Sequence, residues 1–147
     1  MATKYNVHGA QLQISDGAAS PTYTTVASLE SITLPSETRG SEDVPTHDDT
    51  PGGVATKIVD ALRTLGTMTF TIIEDWSDPT HDGSTGLYSL LGATSPTDLR
   101  VILPDGNGTQ IDVTGYITGR TPQAMPANRG VARVDYEFTP IQPPVIS

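Results

Sequence analysis

Between Leu99 and Thr139 apolar and polar residues take turns with a period of two, interrupted only where turn residues cluster. Leu99, Val101 and Leu103 share one parity and stop at Pro104-Asp105-Gly106-Asn107-Gly108. Ile111, Val113 and Ile117 then fall on one face, with Gln110, Asp112, Thr114, Tyr116 and Thr118 on the other. After a loop containing Pro, Gly and Asn, Ala132, Val134, Tyr136 and Phe138 alternate with Arg133, Asp135, Glu137 and Thr139. Successive strand side chains point to opposite faces, so this pattern predicts antiparallel strands with one face buried and the other in water.

The rest of the chain supplies further short strands. Ala10, Leu12 and Ile14 alternate with Gln11, Gln13 and Ser15 and are closed by Asp16-Gly17. Tyr23 to Ala27 and Leu29 to Leu34 read as a second and third strand, and Thr67 to Ile73 alternates Met68, Phe70 and Ile72 with Thr67, Thr69 and Thr71. Ile58, Ala61, Leu62 and Leu65 stand at i, i+3, i+4 and i+7, which predicts a short amphipathic helix over Val54 to Leu65. A second helix is expected through Leu87, Tyr88, Leu90 and Leu91, capped by Asp82 or Ser84 and ended by Gly92. Ser36 to Gly53 is an acidic, Pro- and Gly-bearing loop, with room for a short strand around Asp43 to Thr46. Met1 to His8 and the tail after Pro140 are expected to be arms, the tail's prolines keeping it out of a ladder. The fold class is thus mainly β: a β-sandwich or partly closed barrel with one or two short flanking α-helices, in a single domain.

Composition narrows the chemistry. With no cysteine among 147 residues, disulfides, thiolate metal sites and cysteine nucleophiles are excluded. The formal charge of −9 comes from 17 acidic against 8 basic residues, too few cations to grip a phosphate backbone. No leader pattern is seen in Met1 to Tyr23 and no apolar run approaches a membrane span, so a soluble chain made in a cytoplasm is expected.

Two triplets, Thr46-His47-Asp48 and Thr80-His81-Asp82, raise metal or hydrolase chemistry, but neither has the helical His spacing of a zinc hydrolase. Asp105-Gly106-Asn107-Gly108-Thr109 begins like a calcium loop, yet Gln110 stands where the turn glycine belongs and Tyr116 where the final acid belongs. A hairpin turn explains it better. The serines lack a nucleophile elbow. No enzyme, cofactor or metal site is expected.

The succession of pieces resembles the major tail tube proteins of long-tailed bacteriophages. It is carried by Leu12-Gln13-Ile14-Ser15-Asp16-Gly17, Leu29 to Leu34, Asp43-Val44-Pro45-Thr46-His47-Asp48 running into Gly52-Gly53, and Leu62 to Gly66. It continues through Thr67 to Ile73, Leu87 to Leu91, Arg100-Val101-Ile102-Leu103-Pro104-Asp105-Gly106, and Gly115-Tyr116-Ile117-Thr118-Gly119. The resemblance runs from about Gln11 to Thr139. It implies a structural virion protein, made in the bacterial host cytoplasm, that forms stacked hexameric rings. Its partners would be itself and other tail proteins such as tape measure, tail tip and terminator, with DNA passing unbound and no membrane involved. It further implies that Asp43, Thr46, His47, Asp48 and Asp49 lie in an inter-ring contact loop, with the two arms also at ring contacts.

The candidate lumen face is the polar parity of the long strands: Asp112, Asp135 and Glu137, with Thr67, Thr69 and Thr71. Arg133 shares the parity of Asp135 and Glu137 and is expected to be an ion-pair partner. Two other readings stay open: a β-sandwich binding module for carbohydrate or protein, and the tube of a contractile or secretion-type apparatus.

Overall fold

The computed structural model describes residues 8–43, 53, 57–83, 86–125, 127 and 131–147. Among these described residues ten strands and one short helix follow in the order β1 (Gln11–Ser15), β2 (Tyr23–Thr25), β3 (Leu29–Thr33), β4 (Glu37–Asp43), β5 (Lys57–Leu65), β6 (Met68–Ile73), α1 (Leu87–Leu90), β7 (Thr97–Ile102), β8 (Gln110–Pro122), β9 (Arg133–Pro140) and β10 (Val145–Ile146). The protein is mainly β and antiparallel throughout, as its alternation requires. The large sheet runs β2-β1-β7-β8-β9-β6-β3, with β10 on β8, and β4 pairs with β5 in a second sheet.

The turns are set by local chemistry. Between β7 and β8 the Asp105 carboxylate accepts the backbone N–H of Asn107 at 2.9 Å and of Thr109 at 3.3 Å, as well as the Thr109 hydroxyl. Gly106 and Gly108 take the positive φ values, +81° and +68°, that an L side chain resists. The β1–β2 connection repeats the device, Asp16 Oδ1 accepting from Ala18 N at 3.0 Å and Thr22 N at 3.2 Å.

A three-residue link closes the large sheet on itself. β2 and β3 are its opposite edges, yet only Val26 to Ser28 separate them. Val26 N still donates to Leu12 O of β1 at 2.8 Å, whereas Ser28 O already accepts from Ile73 N at the end of β6 at 3.0 Å. So few residues reach only about 10 Å, and the two edges must therefore meet. The sheet curls into a nearly closed barrel, and its apolar parity points inward. Leu12, Val101, Val113, Phe138, Phe70 and Ile72 form one cluster with Val26 and with Leu87 of α1. Phe70 and Tyr136, directly paired across β6 and β9, stack at 5.5 Å between ring centroids.

Four expectations are revised. The segment expected to be a helix over Val54 to Leu65 contains β5, and the expected loop after Ser36 contains β4. Ile58 and Leu62 are 57% and 84% exposed, so no core covers a helical stripe, and the backbone is satisfied by pairing with β4 instead. The tail does join a ladder: Val145 and Ile146 lie past the two prolines, keep their N–H groups and pair with Asp112 and Ile111. The helix at Leu87–Leu90 has Gly86 at its N-cap with no side-chain cap, although Asp82 Oδ1 accepts the Gly86 N–H at 3.1 Å; Ser84 lies outside the described residues.

Candidate functional site: the polar sheet face and the β4–β5 hairpin

The polar parity of the large sheet makes a continuous surface. In one row across neighbouring strands stand Thr25, Gln13, Arg100 and Asp112, and in another Thr33, Thr69 and Glu137. Thr71, Asp135 and Thr121 make a third. The register therefore brings Thr69, Thr71, Asp135 and Glu137 into one patch, while Asp112 lies on β8 nearer the β1–β7 side. Thr67 sits exposed just before β6 begins.

The arginines of this sheet do not stand alone. Arg100 donates to both carboxylate oxygens of Asp112 at 2.8 and 3.3 Å, and its guanidinium lies over the Tyr23 ring at 3.8 Å. The hydrogen bonds to Asp112 raise the Arg100 pKa further above its ordinary value. Arg133 pairs with Glu30 at 2.6 Å, the partnership its parity predicted, although Glu30 lies on β3 and not on the adjacent strand. Asp135 accepts from Thr71 Oγ1 at 2.6 Å and Gln123 Nε2 at 3.0 Å. Asp135 and Glu137 enter no ion pair among the described residues. The face thus carries neutralised cations and uncompensated carboxylates. Chemically it repels polyanions and offers them no anchor.

The β4–β5 hairpin is the other conspicuous surface. Among the described residues its strands pair only with each other, with an irregular register between Arg39 and Ser41. Asp43, expected in a contact loop, ends β4 and pairs with Lys57 at 3.1 Å; at the other end Arg63 pairs with Glu37 at 2.7 Å. Thr46, His47, Asp48 and Asp49, expected in the same loop, lie outside the described residues. Both ion pairs are in solvent and hold the hairpin weakly.

His81 belongs to neither surface. It is fully buried, its Nδ1 accepts Asp75 N–H at 3.0 Å, and its Nε2 bonds the Ala27 carbonyl at 2.7 Å. With both ring nitrogens committed to backbone, the Thr80-His81-Asp82 triplet is a structural clamp on the β2–β3 link. Among the described residues no group of three or more His, Asp or Glu is arranged to hold a metal ion.

One polar cluster escapes sequence reasoning. Strict alternation carries Arg120 to the polar face with Thr114 and Thr118. In the structure the register shifts between Ile117 and Gly119, Thr118 bulges outward, and Arg120 stands opposite Tyr136 on the core side. Its guanidinium bonds Glu74 at 2.5 Å and faces the rings of Tyr88 and Trp76 at 5.2 and 5.6 Å. Burial pushes the Tyr136 hydroxyl above its ordinary pKa, with the adjacent Arg120 pulling the other way. Gly119, an isolated glycine inside a strand pattern, is the one sequence signal of the bulge.

No protein-family model matches this chain, and no curated protein does. Solved structures do match its fold. A chain from the PVC extracellular contractile injection system, in a structure of its sheath/tube terminator in the extended state, superposes with a TM-score of 0.72 at 11% identity, covering 99% of this chain and 98% of that one. A chain from the six-fold symmetrised baseplate of the anti-feeding prophage also gives 0.72 at 11% identity, covering 100% and 97%. A chain from the tail of an empty GTA particle, with C6 symmetry, gives 0.66 at 17% identity over 92% and 95%. The curled antiparallel sheet with its appended hairpin is thus a fold shared with chains of tail and injection assemblies.

Proposed function

We propose that this chain is a structural tail protein that self-assembles into stacked hexameric rings forming a hollow tube, through which phage DNA is delivered. The observation that carries this reading is full-length correspondence of fold with chains from tail and injection assemblies, two of them in six-fold symmetric particles. The physical features agree with it. A ring needs a heterologous contact that closes, and an exposed hairpin with apolar residues supplies one half of such a contact. In the tube the polar sheet face turns to the lumen, so that Asp112, Asp135, Glu137, Thr67, Thr69 and Thr71 meet the passing duplex. The hairpin and the chain between its strands, with Asp43, Thr46, His47, Asp48 and Asp49, lie at the ring-to-ring contact. Other tail proteins cap and fill the tube, and the protein has no enzymatic role.

A second reading, the tube of a contractile apparatus, is favoured by the likeness to injection-system chains, which matches or exceeds that to the GTA tail. Both are tubes and share their first test. Electron microscopy of the purified protein over a concentration series, with mass by light scattering, is expected to give rings or tubes with a central hole. A strict monomer at high concentration would overturn the tube reading and favour a β-sandwich binding module.

A further inference from the structure

Of the chain's three asparagines, Asn6 precedes Val7, Asn128 precedes Arg129, and Asn107 alone precedes a glycine, Gly108. That pair stands in the β7–β8 turn, where Gly106, Asn107 and Gly108 are all exposed. Asp105 ties the turn down around the pair, accepting the backbone N–H of Asn107 at 2.9 Å and of Thr109 at 3.3 Å. The pair's own reactive atoms are left out of this network. Among the described residues no hydrogen bond engages the Asn107 side-chain amide or the Gly108 N–H. A Cβ built on Gly108 would meet nothing within 4 Å, so the space beside its nitrogen is open.

We infer that Asn107 is a site of spontaneous covalent modification, losing its side-chain nitrogen as ammonia through a cyclic imide formed with Gly108. The Gly108 nitrogen gives up its proton to water and attacks Cγ of Asn107. The new N–Cγ bond forms, the Cγ–Nδ2 bond breaks, and Nδ2 takes a proton from water and leaves as ammonia. A second water then opens the five-membered imide at one of its two carbonyls. One opening leaves aspartate, and the other leaves isoaspartate, with the main chain rerouted through Cβ and Cγ. No oxidant, metal or enzyme is required.

The structure singles out this pair among the turn glycines. Asp16-Gly17, Asp82-Gly83 and Asp105-Gly106 could cyclise in the same way only when protonated, because a carboxylate would have to expel oxide. The Thr109 hydroxyl holds the Asp105 carboxyl below its ordinary range, Gly17 N is engaged with Ser15 Oγ at 3.1 Å, and Asp82 Oδ1 accepts from Gly86 N at 3.1 Å. Isoaspartate at 107 would insert a methylene into the main chain between the two backbone bonds that Asp105 accepts, and set a second carboxylate beside it. The strain falls next on the Leu103 N–H to Thr109 O bond and on Gln110, which exchanges two 2.9 Å bonds with Ser147 beyond β10. The inference does not depend on the assembly proposed above.

The experiment ages the full chain in warm, mildly alkaline buffer and maps its peptides by mass spectrometry, with a fragmentation that separates isoaspartate from aspartate. The Asn107 peptide is expected to gain about one dalton, as an amide becomes a carboxyl, with both products present. Peptides holding Asn6 and Asn128 are expected to stay unchanged over the same time. The conversion rate in the folded chain is expected within ~10-fold of that in urea, because the reacting atoms need no local opening to be freed. An intact Asn107, aspartate without isoaspartate, equal conversion at Asn6 or Asn128, or a folded rate more than ~10-fold below the urea rate would each overturn the inference. Asn107→Gln, whose longer side chain cyclises poorly, supplies the structural arm. Aged wild type is expected to lose hydrogen-exchange protection at the Leu103 and Ser147 amides while the aged variant keeps it, and equal losses in the two would refute the proposed damage to the ladder.

Discussion

The imidazole of His81 donates its Nε2 proton to the carbonyl of Ala27, 2.7 Å away and on the other side of the barrel seam. The tautomer follows from the opposite nitrogen: Nδ1 accepts the Asp75 N–H at 3.0 Å, so the proton must sit on Nε2. One buried ring thereby joins the β2–β3 link to the turn after β6. His81→Ala would remove a fully buried ring and leave the part-buried Asp75 N–H and Ala27 C=O without it, and a loss of about 1–3 kcal/mol is expected in urea unfolding. A loss below about 1 kcal/mol would show that water replaces the ring and that the clamp is dispensable.

Ser28 sits at the same seam with φ of +58°, the only described non-glycine residue at positive φ. Left-handed backbone costs an L side chain about 1 kcal/mol, offset in part by the greater freedom a glycine would have when unfolded. Ser28→Gly is therefore expected to leave stability level or raise it by up to about 1 kcal/mol. Ser28→Val should lower it, and equal melting temperatures for the two variants would contradict the strain.

Among the described residues Glu74 is the only carboxylate paired with Arg120, at side-chain exposures of 9% and 17%. Removing it leaves a largely buried cation, so Glu74→Ala is expected to cost about 3 kcal/mol. Replacing both partners, Arg120→Met with Glu74→Leu, is expected to cost less than Glu74→Ala alone. The comparison is made by urea unfolding of the three proteins, and an additive double replacement would refute the coupling.

Gly115 faces Pro140 so closely that a Cβ there would run into Thr139 O and stand 2.8 Å from the Pro140 Cα. Both obstacles are backbone and cannot swing aside. Gly115→Ala is expected to destabilise by about 1–3 kcal/mol. Hydrogen exchange should localise the damage to the β8–β9 ladder, and a uniform loss of protection would argue for a different cause.

Asp75, Asp78 and Asp105 all have pKa values lowered from 3.8, chiefly by hydroxyl donors: Ser77, Thr80 and Thr109. A carboxylate depressed in the folded state binds protons more readily when unfolded. Its stabilisation is therefore complete above the unfolded value and disappears as pH falls below 3.8 through the folded values. The melting temperature is expected to drop over that interval, and less steeply in Asp78→Asn. An unchanged slope in that variant would exclude Asp78 as a contributor.

The strands β7, β8 and β9 were legible because each buries one face only, and Leu99, Val113 and Phe138 mark that face without ambiguity. Turn chemistry at Asp105 and Asp16 was legible for the same local reason. The β4–β5 hairpin was not: Ile58, Ala61, Leu62 and Leu65 have helical spacing, and only the absence of a covering core decides against it. The place of Arg120 was not legible from parity, because a bulge of one residue inverts every side chain after it. Of the candidate lumen residues, the register unites Thr69, Thr71, Asp135 and Glu137, while the clamp between Arg100 and Asp112 needed the pairing of β7 with β8 to be known. The seam at Val26 to Ser28 has no local signature, since it depends on which strands form the two edges.

That seam also sets a schedule for synthesis. β1 pairs locally with β2, but its other neighbour is β7, and β3 pairs with β6, so these ladders wait until much later sequence leaves the ribosome. The β7–β8 hairpin, by contrast, can pair as soon as its own short turn is made. Ladders between distant segments form slowly because their loops must close first. The N-terminal strands therefore have only the local β1–β2 pair at first, and because β9 joins β8 to β6 the barrel shuts only when the molecule is nearly complete.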